Sequence, residues 1–165
     1  MTYKKKYKKY CNENYLRFNL DDNQALQHFI KEFGEERTEK LKQLFNERDN
    51  RNSYNFCENF KESSCLMYLQ SDLFYENSIK LLEIIESLKP HKTLELGCYN
   101  GILLNYLAEL YVDESFVGID AEEKIVSFAN AQFKQNNLDL ITLDYKDIST
   151  LKNKFDFIFT LLGIE

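Results

Sequence analysis

Glu95, Gly97, Gly101 and Asp120 are the residues whose types and order could do chemistry in this chain. The first three lie in Thr93-Leu94-Glu95-Leu96-Gly97-Cys98-Tyr99-Asn100-Gly101, a strand-like run carrying one acid and then a turn with glycine at both ends. An apolar-periodic helix follows. Strand, glycine turn and helix are how α/β proteins place a nucleotide-like ligand at the carboxyl end of a strand. Glycine permits positive φ and lets backbone approach a ligand closely. A second strand-like run, Ser115 to Ile119, ends in Asp120, and an acid there is where such folds bind ribose hydroxyls. Each residue also has a plainer reading. Glu95 could be a solvated charge, the glycines ordinary turn residues, and Asp120 the N-cap of the next helix. Two of the chain's five glycines fall in this one turn, which favours ligand approach.

At these residues the sequence resembles the class I S-adenosylmethionine-dependent methyltransferases. Glu95, Gly97 and Gly101 match their first motif, acid-x-Gly-x-Gly-x-Gly, and Tyr99 stands where the middle glycine would be. Leu-Glu-Leu-Gly-x-Tyr-x-Gly looks like the variant of the catechol-type O-methyltransferases, and Val117-Gly118-Ile119-Asp120 matches the second motif. The resemblance covers about Lys80 to Glu165. It implies S-adenosylmethionine as cofactor, with Glu95 near its methionine end and Asp120 on the ribose diol. It further implies that Cys98 and Tyr99 line the loop and that Ala121 and Glu122 flank the adenine. An acid after the third strand would contact the adenine amino group, with an apolar or aromatic neighbour on the ring. Asp144 with Tyr145 fits that description, and Asp147 is the second candidate. The backbone N–H groups opening the helix after Gly101 would face the cofactor's carboxylate. Cys98 reads as a small packing residue, since no histidine is near it in sequence. The Asn-Pro-Pro-aromatic signature of amino-group methylating enzymes is absent after the fourth strand, and no catalytic base can be named.

Composition narrows the field. The chain has 165 residues, 44% hydrophobic and 29% charged, which is the range of a folded globular protein. A net charge of −6 does not suggest a nucleic-acid coat or an anionic membrane. Locally, Lys4, Lys5, Lys6, Lys8 and Lys9 interleave with Tyr3, Tyr7 and Tyr10. That stretch reads as a solvated terminus, or else as a contact for RNA by charge and stacking. The four cysteines form no C-x-x-C pair, and with two histidines no metal spacing arises. No apolar run is long enough to span a membrane, and the basic start lacks a signal peptide's apolar segment. A reducing cytoplasm is the compartment expected.

The elements that must position the site are read from periodicity. Residues 1–20 are expected as a basic flexible tail and 21–76 as a helical cap region. Residues 77–165 are expected as a Rossmann-like cofactor-binding domain. Asp21 or Asp22 can cap a first helix whose face carries Leu26, Phe29, Ile30 and Phe33, with Gly34 as its C′ residue. Ser63 or Ser64 could cap a short helix, and the aromatic patch from Tyr54 to Phe60 has no clear assignment. A helix from about Phe74 to Lys89 stops at Pro90. Strands 93–96, 115–119, 138–143 and 155–161 then alternate with helices 101–111 and 122–135. This predicts an α/β fold with a parallel sheet of about four strands in the order 3-2-1-4.

Two readings of function follow. The first is methyl transfer from S-adenosylmethionine to an unknown methyl acceptor, with 21–89 as a cap over it. The second is a cofactor-binding half-domain without turnover, because the family's sheet has seven strands and this chain has room for four. The edge of strand 155–161 would then invite self-association or a partner chain. A dinucleotide fold of the NAD type is disfavoured, since the turn lacks G-x-G-x-x-G.

Overall fold

The computed structural model describes residues 3–13, 22–47, 50–69 and 71–161. Asp21, the later part of the expected tail and the residues from Leu162 onward lie outside them. The chain divides into two compact units, Met1–Leu73 and Phe74–Glu165.

The first unit is helical: α1 (Tyr3–Glu13), α2 (Asp22–Phe33), α3 (Glu35–Asn46), α4 (Asn50–Phe56) and α5 (Phe60–Leu69), with α6 (Ser71–Leu88) beginning at its end. α1 lies within residues 1–20, the stretch expected as a basic flexible tail. Tyr7, Tyr10 and Cys11 fall at i, i+3 and i+4 and are buried, while Lys5, Lys6 and Lys9 stay on the exposed side. Those two tyrosines are therefore packed inward and offer no stacking surface to a nucleic acid. Gly34 ends α2 as expected, at φ 86, with its N–H donating to the Ile30 carbonyl at 2.8 Å. The unassigned aromatic patch resolves into α4 and the start of α5. Ser63 and Ser64 do not cap a helix; they are buried within α5.

Arg37 of α3 holds this unit's charged centre. Its guanidinium donates to both carboxylate oxygens of Glu62 and to the Phe56 carbonyl, and lies 4.4 Å from the centre of the Phe56 ring. Glu62 is 2% exposed and also accepts from the Glu58 N–H at 2.6 Å, so its buried charge is paired and hydrogen-bonded, as burial requires.

The second unit alternates as expected: β1 (Lys92–Leu96), α7 (Ile102–Leu110), β2 (Ser115–Asp120), α8 (Glu123–Gln132), β3 (Leu138–Thr142), a 3-10 turn (Tyr145–Thr150) and β4 (Phe157–Phe159). The four strands are parallel in the order β3-β2-β1-β4. This is the Rossmann-like α/β sheet that the strand–helix alternation implied. β4 is shorter than the expected 155–161, Ile158 at its centre is 52% exposed, and β4 has one neighbouring strand among the described residues. Asp156 is not inside that strand. Its carboxylate accepts from the Lys92 N–H at 2.9 Å, and its own N–H reaches the Lys92 carbonyl, so it ties the start of β4 to the start of β1.

One sheet face carries Leu94, Val117 and Ile119, covered by Leu143, Ile148, Leu151 and Phe155. The register sets Glu95, Gly118 and Leu140 side by side on the opposite face. α7 packs there with Leu103, Leu104 and Leu107 almost fully buried. Gly118 makes this possible. A Cβ on it would lie 2.6 Å from Leu104 Cδ1, 2.7 Å from Cys98 Sγ and 2.8 Å from Cys98 Cβ. Gly118→Ala is therefore expected to cost about 1–3 kcal/mol by overpacking, read from the denaturant midpoint. A change under about 0.5 kcal/mol would show that α7 shifts freely to make room.

Candidate functional site

Three left-handed residues shape the β1–α7 loop: Gly97 at φ 71, Tyr99 at φ 50 and Gly101 at φ 66. The N–H groups of Gly97 and Cys98 both donate to the Ile119 carbonyl, at 2.9 and 3.0 Å, pinning the turn across the end of β2. Tyr99 keeps the positive φ for which glycine is the usual choice, and a non-glycine residue there costs roughly 1–2 kcal/mol. Asp120 supports it: its Oδ2 accepts from the Tyr99 N–H at 2.8 Å. The other oxygen, Oδ1, accepts from the Glu122 N–H at 3.0 Å, where α8 is about to begin. One carboxylate thus fastens the glycine loop to the β2–α8 turn. Sequence reasoning picked out Asp120 for ribose hydroxyls and missed this second duty, which only the fold brings into range.

Gly101 opens α7. A Cβ there would stand 2.6 Å from Leu140 Cδ1, so this glycine answers both to its φ and to the crowding of β3. α7 has no side-chain cap and no acid in its first turn. Its opening N–H groups lie at the carboxyl end of the sheet, and that end of a helix favours an anion.

Glu95 is not a solvated charge. It is 3% exposed, and its Oε2 has no hydrogen-bond partner among the described residues. Burial, with a smaller contribution from the charge on Asp120, pushes its carboxyl up to about 8. Cys98 is a buried thiol packed on Gly118. Its own burial first, and then the nearby acids, raise it well above the usual thiol range, so it is not poised as a nucleophile.

Ala121 is exposed just beyond Asp120. Asp144 and Tyr145 follow β3 at the same end of the sheet; Thr142 pairs with Asp120, and the Leu143 N–H reaches the Asp120 carbonyl at 2.9 Å. Asp144 is occupied locally. It accepts from the Lys146 N–H at 3.0 Å and pairs with the Lys146 ammonium at 2.9 Å, and that partnership holds its carboxyl below the usual range. Tyr145 is 54% exposed. The fold therefore gathers Glu95, Gly97, Cys98, Tyr99, Gly101 and Asp120 into one loop system, with Ala121, Asp144 and Tyr145 at its rim. Among the described residues no group of three His, Cys, Asp or Glu side chains could hold a metal ion, and no helix is long and apolar enough to cross a membrane.

This loop system stands beside the point where strand order reverses, between β1 and β4, the ligand position of open α/β sheets. Residues 93–165 match the family model described as a methyltransferase domain. That match spans less than half of the chain and marks what this stretch is similar to. Across 88 residues the chain is 26% identical to protein 235L of Invertebrate iridescent virus 6, which carries a provisional methyltransferase assignment; the match covers 53% of this chain and 32% of the viral protein. Among solved structures, the plantazolicin methyltransferase BpumL in complex with SAH is 23% identical, with TM-score 0.48, over 76% of this chain and 50% of that one. The plantazolicin methyltransferase BamL is 18% identical, with TM-score 0.40, over 94% of this chain and 47% of that one. The chain thus spans about a third of the length of the viral relative and about half that of the solved ones.

Proposed function

We propose that the second unit is the donor-binding part of an enzyme that transfers a methyl group from S-adenosylmethionine. The observation that carries this reading is the fastened loop: Gly97, Tyr99 and Gly101 all at positive φ, tied by Asp120, at the switch point of a stretch similar to the methyltransferase domain family. The residues fit the cofactor. The buried carboxyl of Glu95, whose Oε2 has no partner among the described residues, suits its ammonium, and the uncapped start of α7 suits its carboxylate. Each Asp120 oxygen has a second lone pair beyond the one that its backbone N–H uses, so the same carboxylate can also accept from a ribose diol. This reading assigns the adenine to Asp144 and Tyr145, which follow β3 at the same end of the sheet. When bound, the cofactor supplies an electrophilic methyl on its sulfonium. The chain's part is to hold that donor in line with an acceptor and keep water out.

Calorimetric titration with S-adenosylmethionine tests this. Asp120→Ala is expected to weaken binding by about 1–3 kcal/mol and also to lower thermal stability, because the N–H groups of Tyr99 and Glu122 lose their acceptor. Asp120→Asn keeps a carbonyl acceptor, and should recover more of the stability than of the affinity. Unchanged affinity in the alanine variant would sink the ribose role.

A further inference from the structure

Glu95 and Asp120 are two acids at the tips of adjacent strands, in opposite circumstances. Asp120 is half-buried and each of its oxygens accepts a backbone N–H. Glu95 is 3% exposed, and no donor among the described residues reaches its Oε2. On its sheet face the neighbour on β2 is Gly118, which has no side chain, and the neighbouring loop residue is the buried thiol of Cys98. On its other side β1 pairs with Phe159 of β4, which brings no charge. The charge that acts on Glu95 is the negative one of Asp120, and it opposes ionisation. An ionised carboxylate in that position, without a cation, would pay heavily in desolvation.

We infer that Glu95 stands as a neutral acid in the ligand-free site and gives up its proton when the donor's ammonium arrives, so that donor binding and proton release are one event. The inference rests on the S-adenosylmethionine reading above. The balance is simple: the O–H bond of the Glu95 carboxyl breaks, the proton leaves to solvent, and a carboxylate–ammonium pair remains in the site. The carboxyl, held near pKa 8 while the site is empty, drops once a cation pairs with it. Affinity should therefore rise as pH rises toward 8 and flatten beyond it. Glu95 thereby selects for a ligand that brings a positive charge to this position, since a neutral group there would leave the acid protonated and the pair unformed.

The probe is S-adenosylhomocysteine, whose ammonium is its single cationic group, titrated calorimetrically near neutral pH in buffers of differing ionisation enthalpy. The wild-type protein is expected to release close to one proton per ligand bound, with affinity rising up to about tenfold per pH unit below 8. Glu95→Gln should retain only the proton linkage of the ligand's own amino group. An infrared band of a protonated carboxyl, seen in the empty wild-type protein and lost at saturation, gives the same answer without a variant. Equal proton release by both proteins, or no loss of that band, overturns the inference while leaving the cofactor reading in place. Binding by neither protein at any pH overturns both.

Discussion

Gly97→Val is expected to abolish binding of S-adenosylmethionine, by more than about a hundredfold, roughly 3 kcal/mol, while the far-ultraviolet circular dichroism stays near that of the wild type. Gly97 sits at φ 71, and its N–H donates to the Ile119 carbonyl at 2.9 Å. A β-branched residue at that φ is a steric outlier. The backbone can relieve it only by turning away from Ile119. Cys98 shares the same carbonyl, and Tyr99 is tied to Asp120 two residues on, so the whole loop would move with it. The other helices are distant in sequence from that adjustment, and α7, which begins at Ile102, and the strands keep their apolar contacts. Global unfolding in the dichroism spectrum would instead assign Gly97 a structural role and remove it from the binding site.

Glu95→Gln should change how the ligand-free protein's stability depends on pH. In the folded chain the Glu95 carboxyl is pushed up to about 8 by burial and by the charge of Asp120, against 4.5 for the ordinary group. Between those values the folded protein holds a proton that the unfolded chain has released. Stability from this group is thus fully present below about pH 4.5, falls as pH rises toward 8, and is level above it. The loss amounts to a few kcal/mol, on the order of what a shift of several pKa units implies for a fully buried carboxyl. The glutamine variant cannot ionise, so its stability should lack that decline and exceed the wild type's above pH 8. Denaturant unfolding at pH 5, 7 and 9 would read the difference. Parallel stability profiles for the two proteins would mean that Glu95 is paired or hydrated in solution.

Much of this architecture is written in local periodicity. The alternation of apolar runs with helical stripes from Thr93 onward yields β1, α7, β2, α8 and β3 within a few residues of their bounds, because each run reflects the backbone geometry of its own segment. Gly34, Gly97 and Gly101 mark positive φ for the same reason, since the absence of a Cβ is a local property. The parallel order 3-2-1-4 follows from short right-handed crossovers. Tertiary structure decided the rest. Nothing in the sequence shows that Tyr99 takes a left-handed φ; Asp120, on the next strand, makes that conformation tenable by accepting its N–H. The burial of Glu95 belongs to the assembled sheet, where its neighbour on β2 is Gly118, a pairing of segments that the chain brings together only on folding. α1 was hidden by its lysines, whose composition suggests a solvated tail until Tyr7, Tyr10 and Cys11 find something to pack against. The sequence by itself therefore determined where the loop lies and which residue types it offers. Packing determined their charge states and hydrogen bonds, because desolvation and partner geometry belong to the assembled sheet and not to any one segment.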